Sequence, residues 1–339
     1  MRNYRLIQLD VFTQQALAGN ALAVFPEAAG LSDEEMVKIA REMNLSETVF
    51  VLLPEASTAA REKETVNNSA TAEAKQQGTA DEGVPLRRLR IFTPTRELPF
   101  AGHPIVGTWN ALAREGVVPL PESGNGWTRI FHEIGIGILP VDIEFEDGQP
   151  VQVVMTQGKP ELGQVVEDIH EQADIARALG LAREDLDESL PIQLISTGMY
   201  FLAVPVRSLA DLGRCRINAA LLTEIYKGFG ATGCSAFSRE TIEVGEARAH
   251  MRMFAPDDNI PEDPATGSAA GALGAYLVHY GASGVEPNDG EFKFVIEQGD
   301  FIKRPSRINV AVKGTTGLVT QVRVGGPSVV VLHGELELI

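Results

Sequence analysis

The chain has 339 residues, of which 44% are hydrophobic and 22% charged, and a formal net charge of −17 at neutral pH; this is the balance of a globular protein long enough for two domains, each with its own core. The acidity argues against nucleic acid and anionic membrane surfaces as partners, because like charges repel. Two cysteines, Cys215 and Cys234, provide no disulfide framework and point to a reducing, cytoplasmic compartment, while no run approaches the roughly 18 uninterrupted apolar residues of a membrane span.

The opening MRNYRLIQLDVF alternates like a strand and lacks the apolar centre of a signal peptide. A first strand is expected over 4–12 and a second over 21–25, after a Gly19-Asn20 turn. Ser32-Asp33-Glu34-Glu35 has the form of a capping box, and Met36, Ile39, Ala40 and Met43 then recur on one helical face. That pattern breaks near Asn44, and 48–53 reads as a buried strand with Glu47 at the junction. Residues 55–86 differ in kind. They are polar and nearly free of large apolar side chains, too few to offset the entropy of ordering, so a mobile insertion is expected.

Apolar patterning returns at Leu89-Arg90-Ile91-Phe92 and predicts a helix over 104–114, stopped by Gly116. Strands are expected over 138–145 and 151–155, a helix over 168–179 ending at Gly180, and strands over 192–195 and 200–204. A helix over 219–227 and a strand over 248–254 follow, and the tail over 308–338 reads as strands joined by glycine-containing turns.

One phrase occurs twice. HPIVGT at 103–108 and DPATGS at 263–268 match Pro104 with Pro264, Gly107 with Gly267 and Thr108 with Ser268, and they set His103 against Asp263. Upstream, Arg90-Ile91-Phe92-Thr93-Pro94 echoes Arg252-Met253-Phe254-Ala255-Pro256, and Leu98-Pro99 echoes Ile260-Pro261. A strand–turn–helix unit used twice at this distance indicates duplicated domains rather than a solenoid. The first N–H groups of a helix have no internal partners and carry the positive end of its dipole, so each copy offers a seat for a carboxylate or phosphate.

Each of these residues also has a plainer role open to it. Asp263 and Ser268 can be helix caps, His103 a hydrogen-bonded turn residue, and Glu47 a solvated charge at a helix end. Against the last, Glu47 abuts a wholly apolar strand, where a carboxylate partly stripped of water suits general acid/base work. The sequence contains no GxGxxG, P-loop or GxSxG motif, and its histidines lack paired-ligand spacing, so a metal site is unsupported. His132, His170, His250, His279 and His333 are expected to be structural or surface residues, and Cys215 and Cys234 core thiols.

LDVFTQQALAGNALAVFP, NLSETVFVL, RIFTPTRELPFAGHPIVGT, DPATGSAAGALGAYL and EQGDFIKRPSRI, in this order, resemble the blocks of the PhzF-like phenazine-biosynthesis family over nearly the whole chain. The insertion at 55–86 departs from that pattern. The resemblance implies an α+β, diaminopimelate-epimerase-like fold of two similar domains, each a mixed sheet curled around a central helix, with the active site in the interdomain cleft. It assigns residues 1–122 with about 326–339 to the first domain and 123–325 to the second. It further implies an isomerase that needs no cofactor or metal, takes a small carboxylate-bearing substrate and forms a homodimer. In the family the glutamate of the SET block moves a proton between carbons, a role that falls here to Glu47; His103 and Asp263 would orient substrate and assist. Ser268, Gly102 and Gly267 would hold the substrate, with Thr266, Asn20 and Ser46 as further candidates. Related epimerases place paired cysteines where this chain has His103 and Asp263, so two-thiol racemisation is not expected. A non-catalytic metabolite- or partner-binding protein on the same fold, and an epimerase or racemase with carboxylate/histidine chemistry, are the alternatives.

Overall fold

A computed structural model describes residues 1–55, 84–258 and 260–338. The insertion expected over 55–86 therefore lies, apart from its two ends, outside the described residues. The chain divides into two units: Met1–Ala16, Ala21–Met155 and Gly326–Ile339 in the first, Leu17–Asn20 and Thr156–Gly325 in the second.

In the first unit β1 (Arg2–Val11) runs antiparallel to β18 (Ser328–Leu338), with Arg2 opposite Leu338 and Val11 opposite Ser328. On its other side β1 pairs with β2 (Asn20–Phe25), which lies parallel to β3 (Glu47–Leu52). Antiparallel to β3 is β4 (Arg87–Phe92), which forms a short hairpin with β5 (Glu97–Leu98) and a parallel join with β6 (Gly126–Ile134). Two antiparallel strands, β7 (Gly137–Glu146) and β8 (Gln149–Thr156), complete the series. Parallel neighbours cannot be joined by a tight turn, and helices make both crossovers. The first is α1 (Asp33–Met43), between β2 and β3. Ser32 and Glu35 close its capping box, Asn44 ends it in the left-handed region (φ 51°), and Met36, Ile39 and Ala40 are buried. They join a core with Tyr4, Phe25, Phe50 and Phe92. The second is α2 (Gly102–Arg114), buried from Gly102 through Ala113 and packed on β1, β3 and β18. Gly107 permits that approach, since a Cβ there would lie 2.6 Å from both Leu22 and Val11.

The second unit repeats the scheme strand for strand. β9 (Glu161–Val165), β10 (Gln193–Ser196) and β11 (Tyr200–Pro205) are antiparallel neighbours, and β11 is parallel to β12 (Cys234–Ser238). β13 (Ala247–Ala255) is antiparallel to β12, carries the short partner β14 (Ile260–Asp263), and joins β15 (Glu291–Gln298) in parallel. Antiparallel β16 (Ser306–Thr315) and β17 (Leu318–Gly326) close the series. Here α3 (Ile169–Ala178) precedes β10, α4 (Leu209–Arg214) and α5 (Ala219–Gly228) occupy the first crossover, and α6 (Gly267–His279) the second. Helix α6 is buried from Gly267 through Val278 and packs on β10, β11, β15 and β16. Gly271 is its point of closest approach, where a Cβ would stand 1.9 Å from Gln157 Oε1, and at Gly274 a Cβ would stand 2.5 Å from Val310.

The echo in the sequence is thus an echo in structure, with β4–β5–α2 and β13–β14–α6 as the two copies. Arg90 makes a two-pronged pair with Glu97, at 2.7 and 2.6 Å, and lies 5.1 Å from the centre of the Phe92 ring. Arg252 does the same with Glu262, at 2.9 and 2.6 Å, and lies 5.2 Å from the centre of the Phe254 ring. The fold is α+β, with two similar mixed-sheet domains. Strands β5, β6, β9, β12, β14 and β15 and helix α4 are additions to the elements expected from the sequence.

Candidate active site

Glu47 opens β3 directly after the turn that ends α1, beside Leu22 of β2. Its position at the strand terminus turns the carboxylate toward α2, which packs on β3. His103, the second residue of α2, places its Nε2 3.4 Å from Glu47 Oε2. Both side chains are largely withdrawn from water, with 6% of His103 and 13% of Glu47 exposed. The contact is an ion pair when the imidazole is protonated, and at this length it is a charge contact rather than a hydrogen bond. Gly102 is buried at the start of α2, and Ser46 is half-buried in the turn before Glu47.

In the second unit Asp263 ends β14 and is 7% exposed. Its two carboxylate oxygens receive different donors: Asn20 Nδ2 donates to Oδ1 at 2.9 Å, and the Thr266 hydroxyl donates to Oδ2. Asn20, itself 2% exposed, also donates to the Ala265 carbonyl at 3.0 Å. Thr266 takes the N-cap position of α6, ahead of buried Gly267 and Ser268. The expected site residues therefore fall into two groups: Ser46, Glu47, Gly102 and His103 in the first unit, and Asn20, Asp263, Thr266, Gly267 and Ser268 in the second.

The two helices that carry the repeated phrase also differ from the others at their N-termini. Side chains of Ser32, Asp168, Ser208 and Asn218 cap α1, α3, α4 and α5. The N-cap residues of α2 and α6, Ala101 and Thr266, make no side-chain capping bond. Backbone N–H groups at such a terminus, together with the helix dipole, favour an anion.

Three residues without a place in the sequence argument support the start of α6. Gln157 Nε2 donates to the Gly267 carbonyl at 3.0 Å, and the Thr197 hydroxyl donates to Gln157 Oε1 at 2.6 Å. Gln298, fully buried, donates to the Asp263 carbonyl at 2.7 Å. A signal for Gln298 was present, since it lies in the EQGDFIKRPSRI block; nothing marked Gln157 or Thr197.

Cys215 and Cys234 are buried free thiols. Burial pushes Cys215 up to about 11 and drives Cys234 higher still, which keeps both protonated at neutral pH. Among the described residues no group of three or more His, Cys, Asp and Glu side chains is placed to hold a metal ion. No helix among them is long and apolar enough to cross a membrane.

Residues 9–334 match the model of the phenazine biosynthesis-like protein family. The chain belongs to that family. An uncharacterized isomerase of Clostridium acetobutylicum is 35% identical, over 100% of this chain and 99% of its own length. The trans-2,3-dihydro-3-hydroxyanthranilate isomerase of Pseudomonas aeruginosa is 32% identical, over 99% of this chain and 100% of its own. Among solved structures, a PhzF-family phenazine biosynthesis protein of Bacillus anthracis superposes with a TM-score of 0.81 at 28% identity, with complete coverage of both chains. With full-length relatives of these names, this member of the phenazine biosynthesis-like family is an enzyme of the isomerase class.

Proposed function

We propose that this protein is a cofactor-independent isomerase that moves a proton between carbons of a small, carboxylate-bearing substrate. Glu47 is the proton carrier, taking the proton from one carbon as carboxylate and returning it to another as carboxylic acid. His103 holds the Glu47 carboxyl in place and shares its proton. Asp263 orients the substrate, and Gly102, Gly267 and Ser268 are substrate-binding residues. The single observation that carries this reading is the Glu47–His103 contact, 3.4 Å long and largely withdrawn from water at the start of an uncapped helix. Carboxyl and imidazole side chains are common general acids and bases, whereas burial holds both thiols protonated. The absence of an exposed thiol pair at the repeated phrase also weighs against two-thiol racemisation.

Relatives that act on trans-2,3-dihydro-3-hydroxyanthranilate make cyclic, unsaturated amino acids the first substrate class to examine. The wild-type protein should convert that compound, or another unsaturated acid of a panel built around it, to a double-bond isomer visible by proton NMR. Tight binding of a panel member without turnover would instead favour a metabolite-binding protein on this fold. Inversion at a single carbon with no shift of a double bond would favour an epimerase.

A further inference from the structure

We infer that Gln298 is a positioning residue that sets the Asp263 carboxylate through the Thr266 hydroxyl, an inference that rests on the proposed role of Asp263 toward substrate. Gln298 is the last residue of β15, a strand paired on both sides with β13 and β16, and none of its surface is exposed. A primary amide in such a place can be read unambiguously from its partners. Oε1 faces the Thr266 backbone N–H at 2.9 Å, and that group can only donate. Nε2 is therefore the other arm, donating to the Asp263 carbonyl at 2.7 Å and to Thr266 Oγ1 at 3.2 Å. Since Thr266 Oγ1 accepts from Gln298, its own hydrogen is directed to Asp263 Oδ2. With Asn20 on Oδ1, both oxygens of the carboxylate are fixed.

The backbone next to Gln298 is built for the same purpose. Gly299 has φ +84°, and a Cβ there would lie 2.2 Å from the Arg304 carbonyl and 2.6 Å from the Pro264 carbonyl. Only glycine lets the strand end approach the Asp263–Thr266 turn this closely. Ser306 adds a further tie, donating to the Pro264 carbonyl at 3.0 Å. One amide thus grips the main chain of Asp263 and both the main chain and side chain of Thr266, so its removal frees the carboxylate to rotate without removing it.

The test compares wild type with Gln298→Glu, Thr266→Val and the double variant, using trans-2,3-dihydro-3-hydroxyanthranilate as substrate. An ionised glutamate still accepts from the Thr266 N–H but donates nothing, so the hydroxyl is no longer aimed. Gln298→Glu should lower kcat about 10- to 100-fold with KM little changed, the cost of a misplaced orienting group. Thr266→Val should cost a similar factor, and the double variant no more than the larger single loss, because both act through one hydroxyl. Wild-type kcat in Gln298→Glu, or losses that multiply in the double variant, would overturn the inference. Crystal structures decide it without activity: in Gln298→Glu the Thr266 Oγ1 contact to Asp263 should be broken or the carboxylate rotated, and unchanged geometry overturns the inference. If wild type leaves the compound unchanged, the functional reading has failed and the crystallographic arm still judges Gln298. Should Gln298→Glu not fold, Gln298→Asn, too short to reach Asp263 and Thr266 together, replaces it with the same expected results.

Discussion

His103, His132 and His250 are all buried, at 6%, 1% and 0% exposure, and their neighbours decide what each can do. His103 faces a carboxylate that retains some access to solvent, the setting of a proton-transfer pair. His250 faces the wholly buried Glu297 at 3.0 Å. Burial would push the Glu297 carboxyl up, but His250 and the backbone N–H groups of Glu243 and Ile242 outweigh it and hold that carboxyl below its ordinary range. His250 and Glu297 therefore form a structural tie. His132 has no hydrogen-bond partner on either ring nitrogen among the described residues; its ring centre lies 5.9 Å from that of Trp109. Burial lowers it to about 4. The unfolded chain takes up that proton near the ordinary value of about 6.5, well before the folded protein does. The stability His132 contributes is thus complete above pH 6.5 and is lost as pH falls toward 4. Between pH 7 and 4.5 this one group should cost about 2–3 kcal/mol of unfolding free energy. Denaturant melts of wild type and His132→Leu at both pH values check it; the variant should show a pH slope smaller by that amount, and equal slopes would refute the assignment.

Helices α2 and α6 depend on glycines because they lie inside their sheets rather than over them. Gly107→Ala and Gly274→Ala bring a methyl within 2.6 and 2.5 Å of neighbouring side chains, and each should destabilise by about 1–3 kcal/mol. Gly228, at the end of α5, has no positive φ, and a Cβ there would meet nothing within 4 Å, so Gly228→Ala should be neutral or stabilise by up to about 1 kcal/mol. Thermal melts of the three variants separate the two cases. Element by element, the sequence was most legible where burial is one-sided. Helix α1 announced itself by Ser32, Glu35 and a single apolar face, and it begins and ends where they indicate. Strand β12 is CSAFS, small and polar yet wholly buried, so it shows neither alternation nor an apolar run. Strand β6 places exposed Trp127 among polar residues and its apolar alternation emerges only toward Ile134. The 3₁₀ turns and α4 are too short for periodicity to register.

At the scale of the whole molecule the legible feature was repetition. The paired phrases located both central helices and the strand and turn that lead into each, because a duplicated unit must keep the same turn and glycine positions to keep the same crossover. The repetition does not extend to burial. Arg252 and Glu262 are 7% and 11% exposed, and Arg252 also donates to the Leu212 and Cys215 carbonyls at 3.0 and 3.1 Å. Arg90 and Glu97 are 13% and 41% exposed. Arg252→Ala strands a buried carboxylate and two carbonyls and should cost about 3–5 kcal/mol, whereas Arg90→Ala, whose partners reach water, should cost clearly less; urea midpoints of the two variants make the comparison. The candidate site was legible as residue types, since Glu47, His103 and Asp263 stand out beside apolar strands and at helix starts. Asn20 and the block that holds Gln298 were marked only through the family resemblance, and Gln157 and Thr197 were not marked at all, because they reach the site from far along the chain and a buried polar side chain has no spacing rule.

The central claim is that Glu47 carries the proton. Wild type and Glu47→Gln, incubated with trans-2,3-dihydro-3-hydroxyanthranilate in deuterium oxide and followed by NMR, test it most directly. Glutamine keeps the shape and removes the titrating group, so deuterium should enter at a substrate carbon with wild type and at least about 100-fold more slowly with the variant. Equal rates of incorporation by the two proteins would contradict the account.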